Sequence, residues 1–242
     1  MKPTSFEPLH PKVVLGVAAH PDDLDFGAAG TLAAFAAQGA KVYYLILTDG
    51  SKGTSDMSLT SPQLVKIRQA EQKAAVAAIG GAGVTFLDYP DGGLEITQAL
   101  KKDIVREIRK LKPEVVVTMD PSVLYSAERG FINHPDHRAA GQAALDAVFP
   151  LARDHLSFPD LFAAGLEPHK VKTVLLTNFE TGNFYVDTSE TLDKKLAALA
   201  AHESQISDIK SVEGWMRTMA EEVGKQADCK YAERFVRLDT MA

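Results

Sequence analysis

Short β-branched and aliphatic runs alternate along this 242-residue chain with longer segments whose apolar residues recur every three or four positions. That alternation most restricts the fold, because strands joined by helical crossovers pair in parallel and need helices on both faces of their sheet. The predicted strands are Val13–Ala18, Val42–Thr48, Val84–Leu87, Val115–Met119 and Val171–Asn178. Helices are predicted over Ala28–Gln38, Pro62–Ile79, Thr97–Leu111 and Asp136–Val148, with a last one from about Ser189 to Gln205. The expected fold class is α/β, a Rossmann-like three-layer arrangement with a mostly parallel sheet.

Local punctuation supports several boundaries. Ser61-Pro62 is a cap followed by a first-turn proline, Gly80-Gly81 closes the same helix, and Lys112-Pro113 ends the next. No repeat or flexible linker divides the chain, so one domain is expected over 1–242. Phe149 to Lys170 holds three prolines and little periodicity, and is expected to be an irregular insertion.

With 45% apolar residues the chain can bury a sizeable core. Its 26 basic residues are scattered among 32 acidic ones, a formal charge of −6, which argues against nucleic acid or an anionic membrane as partner. A single cysteine, Cys229, cannot form an intrachain disulfide and fits a reducing cytoplasm. Met1 to Lys12 lacks the pattern of a signal peptide, and runs such as Val42 to Leu47 fall far short of the roughly 20 residues of a membrane span.

Open parallel sheets place ligands beyond the carboxyl ends of their strands. The loop after the first predicted strand reads His20-Pro21-Asp22-Asp23, and the one after the fourth leads to His134-Pro135-Asp136-His137. In each tetrad a proline sits where a helix can begin, so the first and fourth residues can turn toward one point. Three ligands from such pairs suffice for a catalytic zinc site with a position left for water. The competing interpretation makes the tetrads simple helix caps. Two histidines and a carboxylate also form the facial triad of non-haem iron oxygenases. Asp22, a carboxylate beside the ligands, favours hydrolysis, and the parallel pattern disfavours a jelly roll.

Ala19-His20-Pro21-Asp22-Asp23, Gly27 with Gly30-Thr31, Thr48-Asp49-Gly50, Arg68 with Glu71, and His134-Pro135-Asp136-His137 together resemble the LmbE-like, or PIG-L, family of zinc-dependent de-N-acetylases. Val186-Asp187, Lys195-Leu196, His202-Glu203-Ser204-Gln205 and Tyr231 with Glu233-Arg234-Phe235 resemble its later segments. Thr48 to Thr54, with Arg68 and Tyr89-Pro90-Asp91, is most similar to its diacetylchitobiose deacetylases.

The resemblance implies that His20, Asp23 and His137 bind zinc and that Asp22 is the general base. It also implies that His134 stabilises or protonates the tetrahedral intermediate with Asp136 orienting it, and that Arg68 and Asp91 contact sugar hydroxyls. On the residues alone, Arg68 is equally a partner of helix carboxylates, and Asp91 the start of a turn. The implied substrate is a small acetamido sugar or conjugate, with another amide such as a thiol conjugate as the alternative. A homo-oligomer, in some relatives a hexamer, is also implied. The longer tail that in some relatives reaches a neighbouring subunit's site is expected to be missing, since Ala242 follows soon after Phe235-Val236-Arg237.

Gly27 and Gly30 lack a full dinucleotide fingerprint and are expected to aid helix packing. Trp215 and Cys229 are expected to be structural, and His10, His155, His169 and His202 receive no role.

Overall fold

Strand β1 (Val13–Ala18) is buried from Val14 onward and pairs in parallel with β2 (Lys41–Thr48) on one side and β4 (Val115–Met119) on the other. A strand flanked on both sides and covered on both faces carries an unbroken apolar run, which is why this segment shows no alternation. These strands belong to a computed structural model that describes residues 6–240; expectations attached to 1–5 and 241–242 lie outside it.

The parallel sheet continues with β3 (Gly83–Tyr89) beyond β2 and β7 (Thr173–Thr177) beyond β4. Two further strands, β8 (Phe184–Asp187) and β9 (Ala232–Asp239), complete the order β3-β2-β1-β4-β7-β9-β8, with β9 antiparallel to both neighbours. The expectations contained neither β8 nor β9, because Glu233, Arg234 and Arg237 interrupt the apolar pattern near the sheet edge. A separate two-stranded hairpin, β5 (Tyr125–Ser126) and β6 (Phe131–Ile132), stands outside the sheet.

Helices α1 (Asp23–Ala37), α2 (Ser61–Ala78) and α6 (Leu192–Ala200) pack together, while α3 (Gln98–Leu111) packs with α4 (Pro135–Asp146). Right-handed crossovers put these groups on opposite faces, so the chain has the expected α/β, Rossmann-like layering. Gly141 lets α4 lie on the end of β4, since a Cβ there would overlap the Met119 carbonyl oxygen.

Three helix expectations needed correction. The first helix starts at Asp23 rather than Ala28, because the tetrad turns directly into it: the N–H groups of Asp25 and Phe26 donate to the Asp22 carbonyl at 2.8 and 3.0 Å. The helix expected to reach Val148 ends at Asp146 and passes into a wide turn over Ala147–Leu151, where Pro150 has no N–H to continue it. The helix expected from Ser189 is confined to Leu192–Ala200 and is not the last, since α7 (Ile209–Ala227) follows.

Within 149–170 the chain forms a short helix, α5 (Pro159–Ala163), and irregular turns. Arg109 of α3, 1% exposed, fastens this segment by donating to the carbonyls of Leu151, Ala152, Asp154 and Ser157. Leu161 is buried there, whereas Phe149, Leu156 and Phe162 face outward.

The strand order reverses at β1 and β4: the chain leaves β1 toward β2 and leaves β4 toward β7. Loops leaving adjacent strands in opposite directions open a crevice at their carboxyl ends. Both histidine tetrads border that crevice.

Candidate active site

Beyond the buried end of β1, the N–H of His20 donates to Asp23 Oδ2 at 2.7 Å, which folds the tetrad into the start of α1. Asp22 occupies the left-handed region at φ 91°, a conformation that Asp tolerates better than most residues. Its N–H consequently points inward and donates to Gln72 Oε1 at 2.9 Å. Gln72 in turn donates to Asp25 at 2.8 Å, and that fully buried carboxylate also accepts from Tyr44 Oη at 3.1 Å and His202 Nε2 at 2.8 Å. His202, expected to have no role, is therefore part of the support beneath Asp22.

The second tetrad opens α4 with His134 as its cap: the Asp136 N–H donates to His134 Nδ1 at 3.2 Å. One turn later His137 meets the first tetrad, with Nε2 3.0 Å from Asp23 Oδ1. The rings of His20, His134 and His137 lie 4.8 to 5.3 Å apart between centroids.

The outer nitrogens determine what the inner ones can do. Nε2 of His20 lies 3.1 Å from Asp91 Oδ1 and 3.3 Å from Asp136 Oδ2, and Nδ1 of His137 lies 3.1 Å from Asn133 Oδ1. Each of these nitrogens faces an acceptor, while His20 Nδ1 and His137 Nε2 face Asp23 at 3.5 and 3.0 Å, where a metal ion between them would take their lone pairs in place of a proton. Two imidazoles and one carboxylate, each backed by a hydrogen-bonding partner, form a donor set that fits a divalent metal ion.

Two other groups have ligand-type atoms within 4.8 Å of one another: His20, His134 and His137, and His20, Asp91 and Asp136. In the second group Asp136 is already engaged, accepting from Gly92 N at 2.7 Å and Leu94 N at 3.1 Å, and in the first His134 Nδ1 accepts the cap hydrogen bond, which leaves its Nε2.

Asp136, expected to orient His134, touches it through its backbone. Its carboxylate faces His20 and the loop at 92–94, because at the first turn of α4 the side chain turns away from the cap. Only its backbone N–H reaches His134, and by donating to Nδ1 it leaves the neutral ring's hydrogen on Nε2.

Arg68 and Asp91, expected to contact sugar hydroxyls, are each engaged with partners in the protein. Arg68 is 4% exposed and donates to the carbonyls of Pro21 at 2.8 Å and of Gly50 and Lys52 at 3.2 Å, with Nη2 3.4 Å from Asp22 Oδ2. Asp91 is likewise buried, against His20 and the Lys52 N–H. Arg68 and Gln72 stand four residues apart on the buried face of α2, a spacing the sequence displayed without revealing what either side chain meets.

Electrostatics divide the groups by task. Burial and the neighbouring Asp23 charge push the Asp22 carboxyl up to about 7, against the opposing charge of Arg68. Burial disfavours charge on His20, but the hydrogen bonds and charges of Asp23 and Asp91 outweigh it and raise the imidazole to about 10. Burial, with His20 and His137 close by, lowers the pKa of His134, which keeps that ring neutral near pH 7. So many carboxylates around one imidazole favour a cation among them.

A cavity of about 740 Å³ opens onto Asp23, His134 and His137. The family model described as "PIG-L: GlcNAc-PI de-N-acetylase" matches residues 15–148, which include both tetrads. The chain belongs to this family. Among PIG-L relatives, the diacetylchitobiose deacetylase of Thermococcus kodakarensis is 37% identical over 229 residues, covering 93% of this chain and 83% of that protein. A probable N-acetyl-α-D-glucosaminyl L-malate deacetylase 2 of Bacillus anthracis is 29% identical, covering 80% and 81%. The solved N,N'-diacetylchitobiose deacetylase of Pyrococcus horikoshii superimposes with a TM-score of 0.86 at 30% identity, over 95% of this chain and 84% of that one. These PIG-L relatives bear names of amide hydrolases, and the chain is accordingly an enzyme of that kind.

Proposed function

We propose that the protein is a zinc-dependent hydrolase that removes the N-acetyl group from a small acetamido sugar or its conjugate, of the N-acetylglucosamine or diacetylchitobiose type. The observation that carries this proposal is the pair of imidazoles whose outer nitrogens are held by Asp136 and Asn133 while their inner nitrogens face Asp23, with Asp22 alongside. His20, Asp23 and His137 are the residues that would hold the metal. When bound, zinc would supply a Lewis acid able to lower the pKa of a water toward about 7 and to polarise the acetyl carbonyl.

Around that centre each side chain has a distinct task. Asp22 takes the water's proton as the oxygen adds to the carbonyl carbon, and burial gives it a pKa suited to accepting and releasing a proton near neutrality. His134 donates its Nε2 hydrogen to the oxyanion. When the carbon–nitrogen bond breaks, the leaving nitrogen needs a proton, and Asp22 returns the one it took; acetate and the free amine are the products. Arg68 holds Asp22 in place and Asp91 holds His20, acting on the reaction through those residues.

Acetate release measured across N-acetylglucosamine, its β-linked dimer and glucosaminyl conjugates tests the proposal. Inactivity toward every acetamido sugar would transfer the chemistry to another amide, such as a thiol conjugate. Elemental analysis of protein purified without added metal is expected to give one zinc per chain; iron with oxygen consumption would point to the facial-triad oxygenase instead.

The remaining assignments have their own support. Among the described residues no helix is long and apolar enough to cross a membrane, and lone Cys229 suits a reducing cytoplasm. The continuous sheet suits one catalytic domain, and outward-facing Phe149, Leu156 and Phe162 suit a homo-oligomer, which light scattering tests.

A further inference from the structure

Lys195 of α6 and Glu233 of β9, two residues of the later family-like segments that the proposed chemistry leaves unused, are both buried and pair at 2.6 Å between Nζ and Oε1. Neither lines the cavity of about 740 Å³ that opens onto Asp23. Desolvation offsets most of the attraction within a buried ion pair, so stability alone accounts poorly for this one. Its other contacts lie on the backbone of α1. Lys195 Nζ donates to the Phe26 carbonyl at 2.7 Å, while Oε1 and Oε2 of Glu233 accept from the N–H groups of Gly30 at 3.1 Å and Thr31 at 2.7 Å.

Phe26 and Gly30 stand four residues apart, the separation that a helix closes with one backbone hydrogen bond. The ion pair runs beside that rung, from the Phe26 carbonyl through Nζ and Oε1 to the Gly30 N–H, and Thr191 Oγ1 donates to the Gly30 carbonyl at 2.8 Å. Glycine permits the approach: a Cβ at position 30 would come 2.9 Å from Thr188 Cγ2 and 3.1 Å from Glu233 Oε1. Gly27 and Gly30 also weaken the helix here, and side chains that enter the backbone ladder are a common cause of helix kinks. Just before this point α1 begins with Asp23, capped by Asp22, so a change of direction between Phe26 and Thr31 swings both carboxylates relative to His137 on α4.

We infer that Lys195 and Glu233 are positioning residues for Asp22 and Asp23: the ion pair inserted beside the 26–30 rung fixes the direction of the first turn of α1, and with it the placement of both carboxylates opposite His20 and His137. The inference rests on the roles proposed for those aspartates, but the hold on the helix can be measured without metal or turnover. Removing both charges together leaves no unpaired buried ion, so Lys195→Met combined with Glu233→Leu is expected to fold.

In that double variant, free of metal, the amides of Asp25 and Phe26 are expected to exchange with solvent about tenfold faster while those at 33–37 keep their rates. Cobalt(II), used as a spectroscopic probe, is expected to bind about tenfold more weakly and with an altered d–d absorption. With zinc, kcat should fall about tenfold and KM change little, whereas Lys195→Arg, which keeps the charge pair, should retain most of the cobalt affinity. Exchange that rises uniformly along α1 would reduce the pair to a structural brace and overturn the inference. So would a folded double variant with the cobalt affinity and spectrum of wild type. Glu233→Gln, a smaller change, carries the same measurements should the double variant fail to fold. Localised acceleration in a protein whose wild type binds no cobalt(II) would support the hold on the helix and sink the metal-dependent deacetylase proposal.

Discussion

Oδ2 of Asp136 lies 3.3 Å from Nε2 of His20, joining two tetrads 116 residues apart. Together with Asp91 at 3.1 Å, the contact holds the ring so that its Nδ1 turns toward Asp23. Asp136→Ala should therefore lower metal affinity by about 10–100-fold, the usual effect of losing such a partner. Retained metal measured against a competing chelator checks this.

The two adjacent aspartates are expected to separate binding from chemistry. Asp22→Asn should keep its metal, since Asp23 still faces both imidazoles, while kcat falls about 10²–10⁴-fold through loss of the proton acceptor. Asp23→Asn should lose the metal, because a neutral amide is the poorer ligand. Metal content and turnover of the two variants decide between these roles; a position-22 variant restored to full activity by added zinc would show them reversed.

Neutral His134 has its Nδ1 occupied by the Asp136 N–H and can act only as an Nε2 donor. His134→Ala should lower kcat by about 10²–10³-fold, the cost of one oxyanion donor, with metal content unchanged and KM little altered. Steady-state kinetics with metal analysis is the check.

Arg68 serves three carbonyls and Asp22 from a planar fork that lysine cannot reproduce. Arg68→Lys is expected to cost about 2 kcal/mol of stability and to lower kcat with KM nearly unchanged. Urea unfolding and kinetics measure both, and a large rise in KM alone would restore Arg68 as a direct sugar contact.

Burial opposes charge on His202, but its hydrogen bond to Asp25 and that carboxylate's charge raise its pKa above 6.5. A raised folded pKa means that the interaction contributes fully below about pH 6.5 and is lost as pH rises through the folded value. Wild type should accordingly exceed His202→Gln in stability most at pH 6, and the gap should narrow toward pH 9. Unfolding free energies across that interval test the sign.

The sequence by itself determined the parallel core of the sheet, several helix limits and the two tetrads. These are local signals: apolar runs, period 3.6, prolines in first turns and histidines at strand ends. It left β8, β9 and α7 unread, because charged residues near the edge blur the periodicity that burial imposes elsewhere. Tertiary structure alone decided which nitrogen of each histidine faces Asp23, since that depends on Asp136 and Asn133 closing on the rings in space. It alone placed Arg68, Gln72, Asp25 and His202 beneath Asp22, because burying a polar group requires partners and those partners come from distant elements. Trp215 shows the same limit: its helix was unread, and the cavity it lines exists only once the ends of the strands have come together.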